Sequence, residues 1–208
     1  MPRLNHLRWS SAFLVAAAFA AHASDATHGE HCAAQASQKQ DGNARYLRSV
    51  HQYPLPEVTL VDQDGRRVPL QAVLPSDTAV ALNFVFTTCT TICPVMSATF
   101  STVRAKLGSD VQGLRMVSIS IDPAHDRPAT LKMYANRFGA PPDWTFYTGS
   151  ADDIRSVLTA FGAFAGDKAN HRPITLLRPA NGKDWIRIEG FASADTLAGE
   201  LRGLRAEK

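Results

Sequence analysis

The feature that most narrows what this chain can fold into is a seven-residue stretch, Val80-Ala81-Leu82-Asn83-Phe84-Val85-Phe86, apolar at every position but one. A half-solvated strand alternates apolar and polar residues, whereas a strand without alternation must be covered on both faces. A sheet with layers on either side is therefore required. The segments around the stretch supply them. Pro94 suits the first turn of a helix along which Met96, Phe100, Val103 and Leu107 share one face. Leu114 to Ile121 reads as a second buried strand, ended by Asp122-Pro123. Pro128 opens another helix, with Leu131, Tyr134, Ala135 and Phe138 in period until Gly139 stops it.

Further elements follow the same logic. Val58-Thr59-Leu60-Val61 and Arg67-Val68-Pro69-Leu70 flank Asp64-Gly65, the signal of an N-terminal β-hairpin. Trp144 to Tyr147 is a short strand, and Asp152 and Asp153 begin a helix carrying Ile154, Val157, Leu158 and Phe161. Ile174 to Leu177 and Trp185 to Ile188 are strands joined across Asn181-Gly182. Ser193 to Arg205 makes the last helix. Alternating strands and helices closed by a hairpin and a helix predict an α/β, thioredoxin-like three-layer sandwich. Met96, Met116 and Met133 read as core residues.

The N-terminus reads differently. Arg3, His6 and Arg8 precede an apolar run from Ala12 to Ala21, followed by the small-x-small site Ala21-His22-Ala23, the layout of a secretory signal peptide over residues 1–23. The run is about half the length a spanning helix needs. Export with cleavage near Ala23 is expected, rather than retention as an inner-membrane anchor. No cysteine follows the run directly, which argues against lipid attachment there. Residues 24–53 are polar and lack a sustained apolar period, so they are read as a flexible tail ahead of one domain over 54–208. Lys+Arg 22 against Asp+Glu 19 gives a formal charge of +3. Without Arg3 and Arg8 the balance is 20 against 19, a body with no basic stripe and a poor nucleic-acid binder. There is no Gly-rich phosphate loop and no serine-nucleophile motif.

The chemistry concentrates in Thr87-Thr88-Cys89-Thr90-Thr91-Ile92-Cys93-Pro94-Val95-Met96, which leaves a buried strand and enters a helix. Cys89 is placed in the loop and Cys93 at the helix N-terminus, where unpaired N–H groups and the positive dipole end stabilise a thiolate. As a structural staple the pair is a poor choice, since so small a loop removes only about 2 kcal/mol of unfolded-state entropy. A functional pair is favoured, and export places it where disulfides form and persist. His28, His31 and Cys32 group two imidazoles and a thiol in the tail, a candidate second soft-metal site set against an inert spacer. Asp122 and Asp126 are read as shaping a turn and charging the following helix start.

Thr88-Cys89-Thr90-Thr91-Ile92-Cys93-Pro94-Val95-Met96-Ser97 resembles the cysteine motif of the Sco/SenC family, copper chaperones of cytochrome c oxidase assembly. Ser120-Ile121-Asp122-Pro123-Ala124-His125-Asp126-Arg127-Pro128, Asp143-Trp144 leading to Thr148-Gly149, and His171 follow in the family's order. The resemblance covers roughly Tyr53 to Ala198. It implies a thioredoxin-like domain, expected to be a monomer, that binds copper as Cu(I) or Cu(II) through Cys89, Cys93 and His171. The implied partner is a cytochrome c oxidase subunit with a CuA-type site or another copper acceptor, reached in the bacterial periplasm. In such a fold the loop before Ile174 to Leu177 faces the cysteine turn, which gives His171 a reason to converge on it. Soft thiolates select Cu(I), and imidazole suits either oxidation state. Many members have Pro where this chain has Thr90 and an acidic residue where it has Asn170; neither change removes a ligand. Pro173 stands where thioredoxin-like proteins often carry a cis-proline.

Two rival readings remain at this level. A thiol–disulfide oxidoreductase acting on a periplasmic redox partner needs only Cys89 and Cys93. Zinc accepts two thiolates and an imidazole equally well by ligand type.

Overall fold

A computed structural model describes residues 36–41, 44–111 and 113–206. The predicted leader and the His28, His31 and Cys32 cluster lie outside them. Among the described residues nine strands form one mixed sheet: β1 (Ala36–Asp41), β2 (Ala44–His51), β3 (Thr59–Asp62), β4 (Arg67–Pro69), β5 (Ala79–Val85), β6 (Leu114–Ser120), β7 (Trp144–Thr148), β8 (Ile174–Arg178) and β9 (Trp185–Gly190). Their spatial order is β1-β2-β9-β8-β5-β6-β7-β3-β4. The helices are α1 (Leu70–Val73), α2 (Ile92–Leu107), α3 (Pro128–Arg137), α4 (Ala151–Ala160) and α5 (Ala194–Ala206).

β5 is buried at all seven positions and sits between β6, parallel to it, and β8, antiparallel. Its side chains alternate between two cores. Ala81 and Val85 join Phe100 and Val103 of α2, Leu131 and Tyr134 of α3, and Leu197 and Leu201 of α5. Val80, Leu82 and Phe84 join Leu70 and Val73 of α1 and Ile154, Val157 and Leu158 of α4. Three layers result, as the nearly continuous apolar stretch demands. Polar contacts pin the parallel strands in register: Ser118 Oγ donates to Asn83 Oδ1 (2.6 Å) and Trp144 Nε1 donates to Ser118 Oγ (2.9 Å). A slip of one residue would turn all three side chains to the wrong face.

Both predicted hairpins form, β3 with β4 and β8 with β9. Asn181, in the second connection, takes the left-handed conformation (φ 60°) that asparagine tolerates better than most residues. Two expectations need correction. The part of the tail from Ala44 to His51 is strand β2, antiparallel to β9, so the folded unit starts well before residue 54. β9 carries backbone donors and acceptors that β2 satisfies, and Tyr46 (6% exposed) joins the α2–α5 core. Met133 is 67% exposed, because it lies off the face of α3 that Leu131, Tyr134 and Ala135 turn inward; Met96 and Met116 are buried. Among the described residues every peptide bond is trans, that of Pro173 included, and no helix is long and apolar enough to cross a membrane.

Candidate metal centre

The chain leaves β5 at Val85 and turns sharply, with Cys89 N–H donating to Phe86 O (3.1 Å). α2 then begins at Ile92, preceded by Thr91, whose side chain makes no capping bond. Sulfur takes that place. Cys93 N–H donates to Cys89 Sγ (3.4 Å), and Thr91 Oγ1 lies 3.9 Å from the same sulfur. Cys93 Sγ accepts in turn from Phe86 N–H (3.4 Å). Both thiols are free.

The two sulfurs occupy unlike environments. Cys93 is fully buried, and burial drives its thiol far above the ordinary value; the Phe86 N–H bond opposes that, while Cys89 and Asp126 add to it. Cys89 is partly exposed. Burial raises its thiol too, but the hydrogen bonds from Cys93 and Thr91 outweigh that, and the net shift is downward. The expected thiolate-stabilising helix terminus is therefore present, but its amide serves the loop cysteine. Cys93 itself, inside the first turn, points its sulfur into the core.

A buried carboxylate fixes this turn from below. Asp126 is fully buried and accepts from Thr87 N–H (3.2 Å), Thr87 Oγ1 and Ser120 Oγ, joining the β5–α2 connection to the end of β6. Asp122 Oδ1 pairs with His125 Nδ1 (2.9 Å) and its other oxygen with Lys168 Nζ. Burial raises its carboxyl, but the Lys168 and His125 bonds and charges bring the net shift below the usual range. These roles were not legible in the sequence, where both aspartates read as turn formers. Only the hydroxyl-rich Thr87-Thr88 hints that an acceptor lies beneath.

His171 follows a turn of 3-10 helix over Lys168–Asn170 and is 4% exposed. Its Nε2 lies 3.1 Å from Phe84 O. A carbonyl only accepts, so Nε2 carries the proton and Nδ1 keeps its lone pair. That Nδ1 is buried and bonds to no described residue. Burial pushes the imidazole below its ordinary range against the opposing Phe84 bond, so it stays neutral, the ligand form. The ring meets the edge of Phe86 at 6.5 Å. Phe86 thus touches Cys93 through its N–H and His171 through its ring. The two cysteines are brought together, and His171 is placed behind the same aromatic residue. Among the described residues no three His, Cys, Asp or Glu side chains stand close enough to hold a metal together.

The donor types suit a soft metal, with two sulfurs and one imidazole whose Nδ1 bonds to no described residue. The SCO1/SenC family model matches residues 52–202. The chain belongs to the SCO1/SenC family. A SCO1 protein homolog of Bacillus subtilis (strain 168) is 37% identical over 98 residues, a segment covering 47% of this chain and about half (50%) of that relative. Among solved structures, BsSco, described as a member of the Sco family of cytochrome c oxidase assembly proteins with a disulfide switch, superposes with a TM-score of 0.63 at 27% identity, covering 76% of this chain and 96% of BsSco. Bradyrhizobium japonicum ScoI with copper bound (TM-score 0.59, 23% identity, 72% and 98% covered) and yeast Sco1 with copper bound (0.62, 21%, 74% and 95%) share the fold. The thioredoxin-like architecture of this SCO1/SenC protein is thereby shown.

Proposed function

We propose that this SCO1/SenC protein binds copper through Cys89, Cys93 and His171 and delivers it to a cytochrome c oxidase subunit with a CuA-type site. The observation that carries the reading is two adjacent sulfurs at the mouth of α2 and, behind Phe86, a buried imidazole whose Nδ1 bonds to no described residue. The disulfide switch of BsSco, its place among cytochrome c oxidase assembly proteins, and the copper bound by Bradyrhizobium japonicum ScoI and yeast Sco1 support it. Thiolates favour Cu(I) and the imidazole extends the set to Cu(II). Copper is cargo here, and the chain's own task is to present soft donors, one accessible sulfur in front of a buried one and a buried imidazole. The predicted leader supports the bacterial periplasm as the compartment for that task, with the His28, His31 and Cys32 segment as a candidate second site.

One observation also favours thiol–disulfide exchange. Cys89 is the accessible sulfur with the lowered thiol and Cys93 the buried one behind it, the division between attacking and resolving cysteine. A Cys89–Cys93 disulfide would withdraw both sulfurs from copper. X-ray absorption of the reduced, copper-loaded protein is expected to show two sulfur neighbours and at least one nitrogen. Fewer than two sulfurs would overturn the copper reading, and copper bound unchanged by the oxidised protein would overturn the exclusion. Cys89→Ser should abolish tight Cu(I) binding, while His171→Ala should remove one nitrogen neighbour.

A further inference from the structure

The connection that carries His171 is tied down by charge, and one tie bears on the site directly. Its turn is closed by Asn170 N–H to Asp167 O (3.0 Å) and His171 N–H to Lys168 O (3.1 Å). With three residues per turn, side chains at i and i+3 stand one above the other, so Lys168 and His171 share a side. Both reach one ring: Lys168 Nζ lies 5.7 Å from the Phe86 centroid, and His171 meets the same ring. Lys168 then runs on to the Asp122 carboxylate in the β6–α3 connection. Asp122 is a fixed anchor, 6% exposed, with its N–H donating to Ser120 Oγ (3.0 Å) and its other oxygen held by His125. The remaining ties grip the ends of the connection. Arg187 donates to Phe161 O (2.6 Å) and Gly162 O (3.1 Å) at its root, and Arg172 pairs with Glu189 (2.9 Å) beyond His171.

In this seat the imidazole is engaged with Phe84 O and does not form a three-ligand group with the sulfurs. A shift of the turn toward them would carry Lys168, one turn below on the same side, with it. We propose that the Lys168–Asp122 pair is a latch holding the His171 turn in its metal-free seat, which makes Lys168 a positioning residue for the imidazole. The proposal rests on His171 being the third copper ligand, but the latch itself belongs to the metal-free protein. Copper then meets the two sulfurs first, and the imidazole joins as the latch gives.

The test compares the reduced, full-length chain with Lys168→Met, which keeps the stem and loses the charge, and Lys168→Arg, which keeps the charge. In the absence of metal, amide hydrogen exchange of segment 164–173 should quicken about fivefold in Lys168→Met, the scale of one modest ion pair, and stay near wild type in Lys168→Arg. Equal exchange in all three overturns the latch whether or not copper binds. Cu(I) is then added, the sulfur-to-copper absorption marking the first phase and protection of segment 164–173 the second. Lys168→Met should leave the first phase unchanged and speed the second about fivefold. A slower second phase would show that Lys168 holds the copper-bound arrangement instead, and overturns the proposal. Copper bound with no change in segment 164–173 of the wild type removes His171 from the ligand set and the positioning role with it.

Discussion

At the scale of single residues, the two motif cysteines should be told apart by chemistry. Cys89 is accessible and its thiol is lowered, whereas Cys93 is fully buried with its thiol raised. Iodoacetamide at neutral pH, followed by peptide mapping, should modify Cys89 at least about tenfold faster, since Cys93 reacts only through local opening. Equal rates would contradict the asymmetry described here. A second residue-scale expectation concerns Tyr134, whose hydroxyl lies 3.0 Å from Ser97 Oγ and is pushed by burial from 10.0 to about 12 despite that bond. The folded state therefore holds the phenolic proton more tightly than the unfolded state does. The resulting stability is fully present below pH 10 and is lost as pH rises toward about 12, at most on the order of 2 to 3 kcal/mol. Urea unfolding across that range should show the alkaline loss in wild type and a smaller one in Tyr134→Phe.

At the scale of elements, β2 is the informative case. β5, α2 and both hairpins were legible because their signals are local: a nearly continuous apolar run, a proline in the first turn, Asp64-Gly65 and Asn181-Gly182. The stretch Ala44 to His51 carries no such signal. Arginines, a serine and a histidine interrupt its apolar residues, and what makes it a strand is the open edge of β9, distant in sequence. Tyr46→Ala should destabilise the domain by about 3 kcal/mol, as truncation of a buried aromatic does. A purely polar tail would give no change in urea unfolding. A deletion probing the His28, His31 and Cys32 segment must therefore stop short of β2. The start of α2 was legible as an element but not in its wiring. That Cys89 Sγ, rather than a threonine hydroxyl, receives the Cys93 amide depends on how the whole turn is folded. Cys89→Ala should on that ground cost the metal-free domain about 1 kcal/mol, the usual loss of a helix cap, and Cys89→Ser should recover much of it.

At the scale of the whole molecule, the three proposed ligands come from one end of the sheet: Cys89 from the β5–α2 connection, Cys93 from the first turn of α2 and His171 from the α4–β8 connection. A metal joining them would link segments far apart in the chain, and any ligand that binds only the folded state stabilises it by mass action. Free Cu(I) a hundredfold above the dissociation constant should add about 2.7 kcal/mol to unfolding, and Cys89→Ser should lose that gain. Calorimetry of both proteins with and without buffered Cu(I) checks this. His171 was legible only through the family resemblance, since a lone histidine carries no periodic or spacing signal. Lys168 had none at all, because its partner lies in another connection.

The division of the interior by the sheet also sorts the chromophores. Between residues 36 and 206 the tryptophans are Trp144 and Trp185. Trp144 shares the core of Cys93, with Phe100 at 5.8 Å and Phe146 at 5.1 Å. Trp185 belongs to the opposite core, against Phe161 at 5.4 Å and beneath the Arg178 guanidinium at 5.0 Å. Each compartment thus contains its own fluorophore. With Trp9 also replaced, emission from a Trp185→Phe variant would follow events at the sulfurs, while emission from Trp144→Phe would follow the layer that does not contain them. Coincident changes in the two would mean that the central sheet relays what happens at Cys93 to the far side of the domain.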